Sequence, residues 1–168
     1  MIAYGLVFFL LPALLLTAAA WDLASFTIPN AIQVALLSAF FAFAVASHMG
    51  AGGIGGHLLA GFIGLAAGFT LFALGYIGGG DAKLFACAAL WFGVQDLLDY
   101  ALIASIFGGA LTLGLLAARR VPLPGMLAAQ GWLLRLHDGR EGIPYGVALA
   151  AGALFILPHA EVFRAALR

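Results

Sequence analysis

Charge is the scarcest property of this chain. Only 8% of its 168 residues are Asp, Glu, Lys or Arg, against roughly 25% in soluble domains, while 65% are hydrophobic, against roughly 45–50%. So few polar groups cannot cover a water-soluble surface, which implies an all-α, polytopic membrane protein with residues 1–168 as one embedded domain. The lipid bilayer is then its first partner. Cysteine is nearly absent too: Cys87 stands alone, excluding an intrachain disulfide or a multi-cysteine zinc site. The formal net charge is zero, so nothing points to a nucleic-acid partner. His48, His57, His137 and His159 are scattered, which argues against a metal site, and no Gly-Lys-Ser/Thr follows the glycines, which removes a phosphate loop. No cofactor is expected.

What is abundant is apolar run. About 20 such residues cross the hydrocarbon core as a helix. On that scale about six spans are predicted, at about 2–21, 30–48, 57–76, 82–94, 97–118 and 143–163. Between the last two, "RRVPLPGMLAAQGWLLRLHDGREG" holds four of the six arginines. Its middle, 126–136, is readable either as an interfacial helix with Trp132 at the headgroups or as a plain connection. "GAGGIGG" (50–56) reads as a mobile loop. The first run ends in Ala18-Ala19-Ala20, which mimics a cleavage site, but no Lys or Arg precedes it and it is long enough to span, so a retained helix is expected.

Positive charge sets the orientation. Lys83, Arg119, Arg120, Arg135 and Arg140 fall in or beside the loops joining spans 1–2, 3–4 and 5–6, and only Arg164 and Arg168 fall on the other side. Those three loops are therefore expected in the cytoplasm and the N-terminus in the periplasm.

Against this background two acids stand out, because a charge at the bilayer centre costs about 2.5–3.5 kcal/mol on insertion scales. Asp22 ends span 1 and Asp81 opens span 4; two crossings separate them, so both reach the same membrane face. Paired carboxylates can share one proton, since two like charges a few ångströms apart cannot both ionise cheaply. The charged member takes a proton from water while the neutral one polarises a scissile carbonyl. Each acid also has a plainer reading, Asp81 as a helix N-cap and Asp22 as the mark of a span end. Gly78, Gly79 and Gly80 offer room for an extended substrate backbone, or form an ordinary loop. Lys83 either sits near the acids or snorkels to the headgroups. Pro29 suits the first turn of span 2, with Ile28 biased to extended backbone before it. The Gly64–Gly68 pair suits close helix packing.

Two segments together resemble a known family. "DLASFTIPN" (Asp22 to Asn30) is similar to the first motif of the type IV prepilin peptidases, and "GGGDAK" (Gly78 to Lys83) to the second, Gly-x-Gly-Asp-x-Lys. "IPYGVALAAG" (Ile143 to Gly152) looks like the last helix of the short members. Presenilin-like proteases share Gly-x-Gly-Asp, but their Pro-Ala-Leu motif after the acids is missing here.

The resemblance implies an integral-membrane aspartyl protease of the bacterial inner membrane, with Asp22 and Asp81 as the catalytic pair. Gly78 to Gly80, Lys83, Pro29 and Asn30 would shape the site. The substrate would be a prepilin, with an N-terminal leader and a hydrophobic helix, cut on the cytoplasmic side. Long members also methylate the new N-terminus through a domain with Cys-x-x-Cys motifs. None occurs here, so a peptidase without methyltransferase activity is expected, like the short enzymes of Flp-type pilus systems; archaeal preflagellin peptidases are also short. Many members carry a basic residue where this chain has Ala24, which alters the local charge at Asp22. The rival classes are a small ion-coupled transporter using the two acids as a proton relay, and a non-catalytic pilus assembly subunit. Neither the particular pilin nor the oligomeric state is readable from the sequence.

Overall fold

A computed structural model describes residues 2–167, apart from the side chains of 127 and 128. Arg168, one of the two arginines set against the charge pattern, lies outside the described residues. Among those described there are helices and turns and no strand. Helix α1 (Ile2–Ser25) is a first long apolar helix, α2 (Asn30–Ala46) is shorter, and α3 (Ala51–Ala73) is again long. The stretch Gly79–Ala118 is helical throughout its 40 residues except at Gly93, whose φ of 68° and ψ of 179° are not helical. Short segments α6 (Gly125–Ala128) and α7 (Gly131–His137) precede α8 (Tyr145–Ile156), a 3-10 turn at Leu157–His159 and α9 (Glu161–Ala166).

Forty residues of straight helix would measure about 60 Å, twice the hydrocarbon core. The chain instead folds back at Gly93. In a straight helix Phe85 and Tyr100 would be about 22 Å apart along the axis, yet their rings stack at 5.4 Å, and Phe92 lies 5.0 Å from the same tyrosine. Two arms result, α4 (79–92) and α5 (94–118). The reversal needs a backbone conformation essentially open to glycine alone. It also strips the last carbonyls of α4 of their intrahelical donors. His57 of α3 meets one of them, with Nδ1 2.8 Å from Leu90 O, and its ring packs on Phe40.

The core is built around Trp91, whose indole N–H donates to Leu36 O at 3.0 Å while its ring packs on Phe40 and Phe43. Helices α3 and α4 touch through small residues. A Cβ on Gly64 would lie 2.7 Å from Ala89 Cβ, and one on Gly68 would lie 2.9 Å from Ala82 O. The Gly64–Gly68 pair thus packs helices closely, as its spacing suggests.

Three local expectations change. Residues 51–56 of "GAGGIGG" are the first turns of α3. A backbone at membrane depth must satisfy its own hydrogen bonds, and that requirement outweighs the entropic cost of glycine. The segment 126–136 is two short helices broken near Gln130, with Trp132 exposed. Within α1, Leu6–Leu10 is a π-helical turn that ends one residue short of Pro12, which has no N–H to give the carbonyl four residues back.

Candidate active site

The C-terminal end of α1, the link after it and the N-terminal ends of α2 and α4 line one cavity of about 340 Å³, and the start of α8 reaches Asp22 beside it. Asp22 lies in the last turn of α1, which a left-handed Phe26 (φ 54°) closes, its N–H donating to Asp22 O at 2.7 Å. The non-helical link 27–29 then leads into α2. Pro29 stands just before that helix, at ψ 137°, one position earlier than a first-turn proline, because its extended ψ ends the link. Asp81 is the third residue of α4.

Both carboxylates are buried, with 3% of Asp22 and 6% of Asp81 exposed. Each is held by a backbone N–H from a glycine. Gly146 N donates to Asp22 Oδ2 at 2.8 Å, and Gly78 N donates to Asp81 Oδ2 at 3.1 Å. The second bond is the reach-back half of a helix cap, so Asp81 does serve its own helix start. Its other oxygen, Oδ1, is buried without a partner. The two acids line the same cavity. One capped oxygen leaves the second lone-pair set of Asp81 open to a substrate or a proton.

The remaining residues expected at the site also line this cavity, Asn30, Gly78, Gly79, Gly80 and Lys83 directly, with Pro29 in the link beside it. Two details of their placement matter. Gly79 and Gly80 are helical, and the bare face of Gly80 is turned to the chain's own link: a Cβ there would sit 3.2 Å from Ile28 N. The space beside Gly80 is therefore filled by Ile28, and that beside Gly79 by the Phe72 ring. Lys83 is exposed and donates from Nζ to Asn30 Oδ1 at 2.9 Å, tying the start of α4 to the start of α2. Gln33 adds a second tie, Nε2 to Gly80 O at 3.2 Å.

Gly146 was not singled out by the sequence. A Cβ there would fall 2.8 Å from Asp22 Oδ2 and 2.7 Å from Ile28 Cδ1, so only glycine lets the start of α8 come this near the carboxylate. The loop before α8 is pinned by Arg119, which donates to Leu136 O, Glu141 O and Gly142 O. Arg135 of α7 donates to Ala24 O in the last turn of α1. Among the described residues no cluster of His, Cys, Asp or Glu could hold a metal ion.

The type IV leader peptidase family model matches residues 9–113, which include both acids. The chain belongs to the type IV leader peptidase family. It is 32% identical to the "Prepilin leader peptidase/N-methyltransferase" of Bacillus subtilis (strain 168), over 90% of this chain and 65% of that relative's length. The chain thus spans less than two thirds of that curated relative. No solved structure matches. Gly146 lies beyond the residues that the family model matches.

Proposed function

We propose that the protein is a prepilin leader peptidase in which Asp22 and Asp81 act as an aspartyl dyad. The observation that carries this reading is the shared cavity of two buried carboxylates, each with an oxygen fixed by a glycine N–H. In the working state one carboxyl holds a proton and the other is ionised. The ionised member takes a proton from water as the water oxygen attacks the scissile carbonyl carbon. The protonated member donates to the carbonyl oxygen, and collapse of the tetrahedral species expels the amine of the mature pilin, which takes up a proton. Burial keeps bulk water from separating the charges, and the fixed oxygens spare the site reorganisation.

The substrate is a type IV prepilin of the Flp kind, cut at its leader on the cytoplasmic side of the inner membrane. Support for that face comes from Lys83, Arg119, Arg120, Arg135 and Arg140, which cluster at this end of the bundle. In this reading the product is a mature pilin with an unmethylated N-terminus. A transporter reading asks for acids near the midplane, whereas Asp22 and Asp81 lie in terminal turns of their helices.

The test is incubation of the purified protein with an Flp-type prepilin in detergent, with sequencing and mass measurement of the product. A single cut at the leader and an unmodified new N-terminus are expected. Proton flux through the protein in sealed vesicles, with no prepilin cut, would favour the transporter.

A further inference from the structure

A second cavity, of about 620 Å³, opens between α2, α3 and α4. Its wall is apolar, with Val34, Leu37 and Phe41 from α2 facing Leu58, Phe62 and Leu65 from α3. Asn30 and Lys83 belong to this groove and to the candidate catalytic cavity alike. The groove therefore starts where the catalytic cavity ends. From Asn30 to Phe41 it follows α2 for about 16 Å, or three helical turns, away from the acids. A third cavity, of about 580 Å³ between α4, α5 and α8, has similar size and exposure but shares no lining residue with the catalytic cavity.

We propose that the α2–α3–α4 groove seats the first three turns of the substrate's apolar helix, and so sets which membrane-anchored peptides are cut. This rests on the prepilin reading above. An apolar helix attached to a scissile bond beside Asp81 must leave the catalytic cavity along a wall continuous with it, and this groove is that wall. Its chemistry fits such an occupant from end to end. The far part offers only hydrocarbon side chains. The near part offers polar groups: the Lys83 ammonium, Asn30, and Gln33, whose Oε1 is buried without a partner while its Nε2 holds Gly80 O. The first N–H groups of any helix lack intrahelical acceptors. A helix entering at Asn30 brings those donors to the Gln33 side, while the chain before it stays extended in the cavity, where a peptide bond is open to attack. Gln33 then links helix binding to the backbone just before Asp81.

The test uses the whole enzyme in nanodiscs and an Flp-type prepilin carrying its leader and apolar helix. A photoreactive benzoylphenylalanine replaces either Phe62, in the groove, or Leu113, in the third cavity; both positions are 70% exposed. With Asp81→Asn to hold the substrate uncut, Phe62→benzoylphenylalanine is expected to capture the prepilin's apolar helix and Leu113→benzoylphenylalanine is not. Equal capture at both, or capture of lipid alone at Phe62, overturns the proposal. In the active enzyme, Val34→Trp and Leu65→Trp each raise KM for prepilin about tenfold with kcat held, the signature of lost uniform binding. They leave a peptide without the helix unaffected, and Leu113→Trp changes neither. Prepilin cut normally by both groove variants removes the groove assignment alone. Failure of the unaltered enzyme to cut any prepilin removes the functional reading and the groove with it.

Discussion

Replacing Gly146 by alanine separates the chemistry of this site from its stability. The added Cβ would stand 2.8 Å from Asp22 Oδ2, 3.0 Å from Asp22 Cγ and 2.7 Å from Ile28 Cδ1. Ordinary carbon–oxygen contacts lie at about 3.3–3.6 Å, so the carboxylate or the start of α8 must move by roughly 0.5–0.8 Å. Ile28 gives way easily, being the end of a flexible side chain. The carboxylate does not, because the clash and its anchoring N–H come from the same residue. Displacements near 1 Å at reacting groups cost about 100-fold in rate. The stability balance is smaller. Losing a charge-assisted hydrogen bond costs about 1.5–3 kcal/mol, and alanine in a helix returns up to about 1 kcal/mol relative to glycine. Gly146→Ala should therefore lose about 100-fold in kcat/KM, while its melting transition in detergent falls only modestly. Gly114→Ala, where nothing lies within 4 Å, is the control and should be fully active. Activity within threefold of the unaltered enzyme in Gly146→Ala would refute the claim that this N–H positions Asp22.

Other substitutions test other parts of the account. The pH profile of kcat/KM should be bell-shaped, since at low pH both carboxyls are protonated and no base remains, while at high pH both are ionised and no acid remains; a plateau running into strongly alkaline solution would count against the dyad. Gly93→Ala should lower stability by about 1–3 kcal/mol, because its φ of 68° disfavours any side chain and its Cβ would meet His57 Cε1 at 3.1 Å. The folded fraction should still cut normally, because twelve residues of helix, about 18 Å, separate Gly93 from Asp81; thermal melts beside activity per folded molecule check both halves. Arg119→Ala should expose 120–142 to limited proteolysis, since three carbonyls of that segment lose their donor.

The pairing of Asp22 with Asp81 was readable from span parity because helix length in a bilayer is fixed by physics and the acids lie near the ends. The contribution of Gly146 was not readable. It sits in an apolar helix start within a chain of 23 glycines, and the need for it arises only where that backbone meets a carboxylate 124 positions away. "GAGGIGG" misled for a related reason: glycine propensity is weighed in water, while the requirement to pair every backbone group in lipid acts on the whole segment. His57 looked like one of four scattered histidines, and its role at Leu90 O exists only because the chain reverses at Gly93. Packing across distant segments decided each of these, and a local pattern carries little of it.

The central claim is that both carboxylates are chemically required. It is tested by single-turnover cleavage of an Flp-type prepilin by Asp22→Asn and Asp81→Asn, each confirmed as folded by its melting transition. Both variants should leave the prepilin uncut under conditions where the unaltered enzyme consumes it completely. Leader removal by either folded variant at a rate near that of the unaltered enzyme would contradict the dyad.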